Sequence, residues 1–263
     1  MATDARTIRG YNEHAEEYAR HAAEHPYHRD YIDPAMREAL GSVAMLDVLD
    51  IGCADGRRAD ELIRANANRV EGIDIASGLI ALATHTYTDP RLRFRVADME
   101  NLPFGDESFD VVTSTLVIHY ARDWSRSLSE ARRVLRPGGR CVFSCAHPID
   151  TGTEVVEGRD GSVSRLIGST VLPDQVRIPH GNYLATRQVT MRFAGIEAHF
   201  YHKSIEAMIG EIVASGFSIE SAVGAQPTEA FSEFDTALYE QYMNKPAFLI
   251  WSLTKNTGPT TQP

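Results

Sequence analysis

The chain has 263 residues, 43% of them hydrophobic and 24% charged, with ten Tyr and ten Phe. Such a length buries a substantial core, and such a balance excludes a disordered chain. The formal charge of −10 argues against a broad phosphate-binding surface, because nucleic-acid binding rests on Lys and Arg, so a small-molecule partner is expected and no nucleic acid. The longest apolar run, "FDVVTSTLVIHY", is interrupted well short of the roughly 20 residues that span a bilayer. The start shows no basic segment followed by an apolar one, as a secretory signal requires. These features predict a cytoplasmic protein, monomer or homodimer, with no membrane partner. Cys53, Cys141 and Cys145 form no CxxC pair, which predicts reduced core thiols and no zinc knuckle or disulfide framework; no metal is expected.

In chain order, "TIRGYNEHAEEYARHAAEH" places Ile8, Tyr11, Ala15, Tyr18 and Ala22 at helical spacing and predicts one amphipathic helix. A second short helix is predicted over "YIDPAMREALG". From Leu46 the pattern alternates: strand "LDVLDIG", helix "RRADELIRAN", strand "RVEGIDI", helix "SGLIALATHTY", strands "LRFRVAD" and "FDVVTSTLVI", helix "WSRSLSEARRVLR" stopped by "RPGG", and strand "GRCVFSCAHP". Strands alternating with helices at this spacing imply a parallel sheet covered on both faces. Between Ile149 and about Lys203 the alternation fails, leaving a Gly-rich charged stretch and two strands around Ala194 and Gly195. An interruption this long is itself a functional hint. Helix "SIEAMIGEIVASG", strand "FSIESAVG", a looser stretch and a final strand "PAFLIWSLTK" follow.

The turn "DIGCADGRR" after the first strand is where an open parallel sheet receives its ligand. Aligned on Gly52, a dinucleotide fingerprint requires glycine at 54 and a small residue at 57, where this chain has Ala54 and Arg57. Asp50 repels a phosphate and attracts an ammonium group. The turn therefore suits a ligand with a cation at this end.

The run "VLDIGCADG" resembles the D/E-x-G-x-G-x-G motif of class I S-adenosylmethionine-dependent methyltransferases, with Ala54 in place of the middle glycine. "VEGIDIA", "VADMENLPFGDESFDVVTSTLVIHY" and "EARRVLRPGGRCVFS" follow in that family's order, and the resemblance covers about residues 7–150. It implies an α/β, Rossmann-like, doubly wound, mostly parallel seven-stranded sheet with an antiparallel last strand. It also implies a helical lid at 1–44, a domain at 45–254 with a β-rich insertion at about 150–203 as cap, and a disordered tail at 255–263. The implied cofactor is S-adenosyl-L-methionine, with S-adenosyl-L-homocysteine as product. By position, Asp50 and Gly52 meet the methionine end and Leu116 lies near it. Asp74 takes the ribose hydroxyls, Ile75 lies against the adenine, and Asp98 with Met99 contacts the adenine. Tyr11 and Tyr18 resemble a lid pair over the cofactor, although a packing stripe explains their spacing equally well.

Methyl transfer is an in-line displacement in which the protein aligns the nucleophile and excludes water. His119, after the fourth strand, and His147, after the fifth, are the candidate catalytic bases, since histidine titrates in the useful range; loop-capping is the competing reading of each. His199 and His202 fit a surface strand as well as a substrate face, and His25 with His28 shows no metal spacing. Asp106, Glu107 and Asp110 read as solvated turn charges. The reading is methyl transfer to O or N of a small-molecule acceptor, with a secondary metabolite as one option. A protein or peptide acceptor, a non-methylating member of the fold and an NAD-dependent oxidoreductase are the alternatives.

Overall fold

The computed structural model describes residues 3–157, 162–173 and 175–256. The N-terminal segment forms α1 (Ala5–Glu13), α2 (Ala15–Glu24), a π-helical turn over Tyr27–Ile32 and α3 (Asp33–Leu40). Alternation then yields β1 (Asp47–Ile51), α4 (Arg57–Arg64), β2 (Arg69–Asp74), α5 (Ser77–Thr86), β3 (Leu92–Val96) and β4 (Phe109–Thr115). A 3-10 turn over Ile118–Tyr120, α6 (Ser125–Val134) and β5 (Leu135–Ala146) follow. Past the short α7 (Pro148–Thr151) lie three antiparallel hairpins: β6 (Glu154–Glu157) with β7 (Val163–Leu166), β8 (Gly168–Val171) with β9 (Arg177–His180), and β10 (Arg187–Phe193) with β11 (Ile196–His202). The described chain closes with α8 (Ile205–Ala214), β12 (Phe217–Gly224), α9 (Phe231–Phe234), α10 (Thr236–Asn244) and β13 (Phe248–Lys255).

Seven strands form one sheet in the order β12-β13-β5-β4-β1-β2-β3, parallel except that β13 runs antiparallel to both neighbours. This is the doubly wound arrangement expected from the sequence. Its strands bury both faces: Val48 and Leu49, adjacent in β1, belong to the two different cores. Leu49, Ile73, Phe109, Trp124 and Phe143 pack on one side, and Val48, Val70, Val111, Tyr31 and Phe231 on the other. Burying each large apolar side chain contributes roughly 1.5–3 kcal/mol. All three cysteines are buried and free, and burial pushes the Cys141 and Cys145 thiols up to about 12.

Several elements depart from the sequence expectation for local reasons. The N-terminal amphipathic segment bends at His14 (φ −115°, ψ 28°) into two helices, so that α1 packs on β11 and α5 while α2 packs on α5 and the π-helical turn. Gly10 sits against Ile196, and the Asn12 side chain accepts from the Gly78 N–H (2.8 Å) at the start of α5. The "RPGG" that stops α6 lies inside β5, where the register with β4 slips between Phe109 and Val111. Asp106 and Asp110 are ion-paired to Arg133 (2.9 Å) and Arg136 (2.7 Å), and Glu107 lies 3.6 Å from Lys255, so none of the three is merely solvated. Lys255 ends β13, as the predicted strand "PAFLIWSLTK" has it, so the expected tail starts one residue later than 255; residues 257–263 of it lie outside the described residues.

The N-terminal helices are anchored to the sheet by charge. Asp33, only 3% exposed, accepts from Arg57 (2.8 Å) and from Arg58, both on the first turn of α4. Replacing Asp33 by Ala leaves Arg58 without its carboxylate and Arg57 with Glu61 alone (2.8 Å). Because Arg57 and Arg58 keep 22% and 21% exposure, water recovers part of the loss, and a decrease of about 2 kcal/mol in unfolding free energy is expected. A urea melt checks this; an unchanged midpoint would mean that the pairs do not anchor the N-terminal helices.

Candidate active site

A cavity of about 760 Å³ opens at the carboxyl ends of β1, β2 and β4, under α1, α2 and the β10–β11 hairpin. The turn after β1 shapes its floor. Gly52 has φ +73°, and a Cβ there would come within 2.2 Å of Val117 Cγ2; Gly56 has φ +84°, and a Cβ would come within 2.6 Å of Phe94. Both are positions only glycine fills without strain. Ala54 adopts φ +51°, which is how this chain keeps the left-handed turn without the family's middle glycine. The Gly52 and Cys53 N–H groups both donate to Ile73 O (2.7 and 2.9 Å), stitching the turn to β2.

Asp74 ends β2 with its carboxylate held by two backbone donors, Ala54 N–H on Oδ2 (3.1 Å) and Ala76 N–H on Oδ1 (2.9 Å). Each oxygen keeps acceptor capacity toward the cavity. Burial pushes its pKa up, against the lowering effect of those N–H bonds. Asp98 Oδ1 accepts from Glu100 N–H (3.0 Å), and Met99 is buried beside it. Leu116 adopts φ +58°, with its N–H directed at Ser144 O (3.2 Å) and Oγ (3.1 Å). Tyr11, Tyr18, Gly52, Asp74, Ile75, Asp98, Met99, Leu116 and His119 all line the one cavity.

Asp50 and His147 do not. Asp50 opens instead onto an adjoining cavity of about 190 Å³ beneath α3 and α4, whose wall shares Arg58 and Thr115 with the larger one. Asp50 is 2% exposed and its Oδ2 has no hydrogen-bond partner among the described residues. Burial, opposed by Arg58 and reinforced by Asp74, pushes its pKa up to about 7. His147 caps α7: its Nδ1 accepts from Ile149 N–H (3.1 Å), and its ring does not reach the cavity wall. His199 and His202 are buried in β11, hydrogen-bonded to Thr190 (3.0 Å) and to Thr151 (2.6 Å) and Tyr183 O (2.8 Å).

His119 is 5% exposed, between the rings of Tyr120 and Phe200, each 4.9 Å away. Its Nδ1 accepts from Ala146 N–H (3.2 Å), which leaves the proton on Nε2. Burial lowers its pKa to about 3, so the ring is neutral. The Tyr11 and Tyr120 hydroxyls meet at 2.7 Å, and Tyr11 stands edge-on to Tyr18 at 5.0 Å. Tyr120, Arg58, His21 and His25 also line the cavity and were not assigned to it from the sequence, although Tyr120 adjoins His119 in "IHY". Phe193 in "MRF" and His28 in "YHRDYIDPAM" belong to segments whose Tyr, Phe, Met and His content predicts a partly aromatic, moderately polar cavity, and both line it. Among the described residues no group of three or more His, Cys, Asp or Glu is arranged to hold a metal, and no helix is long and apolar enough to cross a membrane.

Comparison with known proteins places this geometry. Residues 49–143 match the family described as a methyltransferase domain. The chain is 40% identical over 156 residues to 27-O-demethylrifamycin SV methyltransferase of Amycolatopsis mediterranei, covering 57% of this chain and 53% of that protein. It is 37% identical over 122 residues to phthiotriol/phenolphthiotriol dimycocerosates methyltransferase 1 of Mycobacterium ulcerans, 46% of this chain and 45% of that protein. The matches thus span about half the length of these relatives. An S-adenosylmethionine-dependent methyltransferase from Mesorhizobium loti superposes with a TM-score of 0.69 at 25% identity, over 88% of this chain and 99% of that one. The cavity at the carboxyl edge of such a sheet defines a class I, Rossmann-like cofactor-binding fold. Residues 49–143 thus match a methyltransferase domain, on a fold shared with an S-adenosylmethionine-dependent methyltransferase.

The Asp50 environment makes a testable demand on stability. A carboxyl that holds its proton more tightly when folded (about 7 against 3.8) favours the folded state at low pH, and that contribution is lost as pH rises from about 4 to about 7. Asp50→Asn is expected to remove this slope and to raise the melting temperature above pH 7. A variant whose melting temperature follows the wild-type pH profile would contradict the buried, unpaired assignment.

Proposed function

We propose that this chain transfers a methyl group from S-adenosylmethionine to an O or N atom of a small-molecule acceptor. Asp74 carries the reading: a carboxylate fixed by two backbone N–H groups at the end of β2, with acceptor capacity left toward the cavity, suits a vicinal diol. Other features fit the same cofactor. Gly52 leaves a cradle that a Cβ would fill. The buried Asp50 and the half-buried Asp55 and Asp74, all with pKa raised by burial, favour a ligand bearing positive charge. The relatives from Amycolatopsis and Mycobacterium are named for a rifamycin and for phthiotriol-type acceptors, which supports a small-molecule acceptor here.

When bound, the cofactor supplies a methyl group activated on a sulfonium, so the protein's task is placement and water exclusion. Asp74 would take the ribose, Ile75 and Met99 would lie against the adenine, and Asp98 would accept from its amine. Gly52 and Leu116 would border the methionine end, with Asp50 behind the turn. Tyr11 and Tyr18 close over the site, and the Tyr11–Tyr120 hydroxyl contact (2.7 Å) holds the lid helix to the end of β4. His119, neutral and with its lone pair on Nδ1 committed to Ala146, acts as a hydrogen-bond donor that orients the acceptor. The general-base role expected from the sequence is not the one we propose. The cyclase SpnF superposes with a TM-score of 0.54 at 19% identity over 86% of this chain and 81% of that one, so the same fold serves a protein named for cyclisation.

Calorimetric titration separates these readings. S-adenosylhomocysteine should bind the wild type, and Asp74→Ala should weaken it by at least about tenfold, the loss of hydrogen bonds to a charged group; binding of NAD alone would overturn the proposal. Mass spectrometry for the gain of one methyl group then distinguishes transfer from non-methylating chemistry. His119→Ala should lower turnover without moving the pH profile, whereas a displaced acid limb would restore the base assignment.

A further inference from the structure

The cavity extends well beyond the residues assigned to the cofactor, and its far wall has a composition of its own. Ring contacts run without a gap from Tyr11 to Phe193 (6.3 Å), Phe193 to His21 (6.2 Å), His21 to His25 (4.5 Å), His25 to Tyr27 (5.2 Å) and Tyr27 to Tyr242 (5.7 Å). All of these side chains line the same space. His28 joins them, with a buried Nδ1 that has no hydrogen-bond partner among the described residues. An orphaned buried nitrogen is destabilising and calls for a ligand or water.

Most of the charges that share this space are paired with opposite charges or hydrogen-bonded within it. Arg57 and Arg58 are held by Asp33, and Asp150 lies 3.2 Å from Lys245 and 3.4 Å from Arg165. Arg187 donates to the carbonyls of Thr151 (2.6 Å) and Thr153 (3.4 Å). Burial lowers the His28 pKa to about 3 and shifts that of His25 in the same direction. What remains is aromatic surface with ring nitrogens and hydroxyls, able to donate and to accept.

We propose that His21, His25 and His28 of the lid, with Tyr27 and Tyr242, form the acceptor subsite, and that it takes a neutral, hydroxyl-bearing, otherwise apolar molecule. This rests on the cofactor occupying the other end of the cavity. An ionised acceptor would lose hydration: a cation would meet Asp150, already shared by Lys245 and Arg165, and an anion would meet Arg187, which is hydrogen-bonded to carbonyls alone and is the competing feature. An alcohol loses little, because a neutral imidazole answers both its donor and its acceptor.

The test uses the full chain saturated with S-adenosylhomocysteine and three probes sharing one ring system: naphthalenemethanol, naphthoate and naphthylmethylammonium. Binding followed by probe fluorescence should favour the alcohol by about tenfold or more over either ion, and His28→Phe should erase most of that preference while leaving S-adenosylhomocysteine affinity unchanged. Tighter binding of naphthoate, which would point to Arg187, equal binding of all three, or no binding of the alcohol would each overturn the subsite. Failure of S-adenosylhomocysteine itself to bind would instead remove the cofactor reading on which the subsite stands.

Discussion

The site depends on how the chain leaves β1. Two successive N–H groups, from Gly52 and Cys53, converge on the single carbonyl of Ile73 (2.7 and 2.9 Å), which pulls the turn against the end of β2. That closure leaves no room for a side chain at Gly52, where Val117 stands 2.2 Å from an added Cβ. It also brings the Ala54 N–H onto the Asp74 carboxylate at 3.1 Å. Gly56 then caps α4 in a left-handed conformation, and the first turn of that helix carries the two arginines that hold Asp33 and, through it, the N-terminal helices. One turn therefore fixes the floor of the cavity, the acid at its edge and the anchorage of its roof.

The electrostatics follow from the same closure. Asp50, Asp55 and Asp74 are brought together where water is scarce, and burial raises all three carboxyls. A cluster of this kind is uncomfortable in the absence of a cation, and Arg58 answers it only in part because it is shared with Asp33. A ligand bearing an ammonium and a sulfonium relieves that strain, while a dinucleotide pyrophosphate would worsen it. The N-terminal helices add aromatic rings and histidines and, among the described residues, no Lys or Arg to the cavity wall, so hydrogen bonding predominates at that end.

How much of this was legible in the sequence varied with the strength of the local signal. The parallel strands and their helices were readable because apolar residues recur on both faces of β1, β2, β4 and β5, and Asp74, Asp98 and Met99 were readable from order along the chain. The hairpins β6–β7 and β8–β9 were not, since their four-residue strands expose most of their side chains and show no alternation. Helices α9 and α10 were hidden because Phe231 and Tyr242 face an aromatic cluster with Tyr27 and Tyr31 in place of an apolar stripe. Residue identity also leaves side-chain direction open. Asp50 was placed in the right turn, yet its carboxylate faces the smaller cavity. His147 stands at the right strand end, yet it caps a helix.

The most direct test of the account is a crystal structure with S-adenosylhomocysteine bound. The account predicts its ribose hydroxyls on the Asp74 carboxylate, its adenine between Ile75 and Met99, and Tyr11 closed over it with the histidine wall left for the acceptor. Density for the nucleoside against His21, His25 and His28, with Asp74 still held only by its backbone donors, would contradict it.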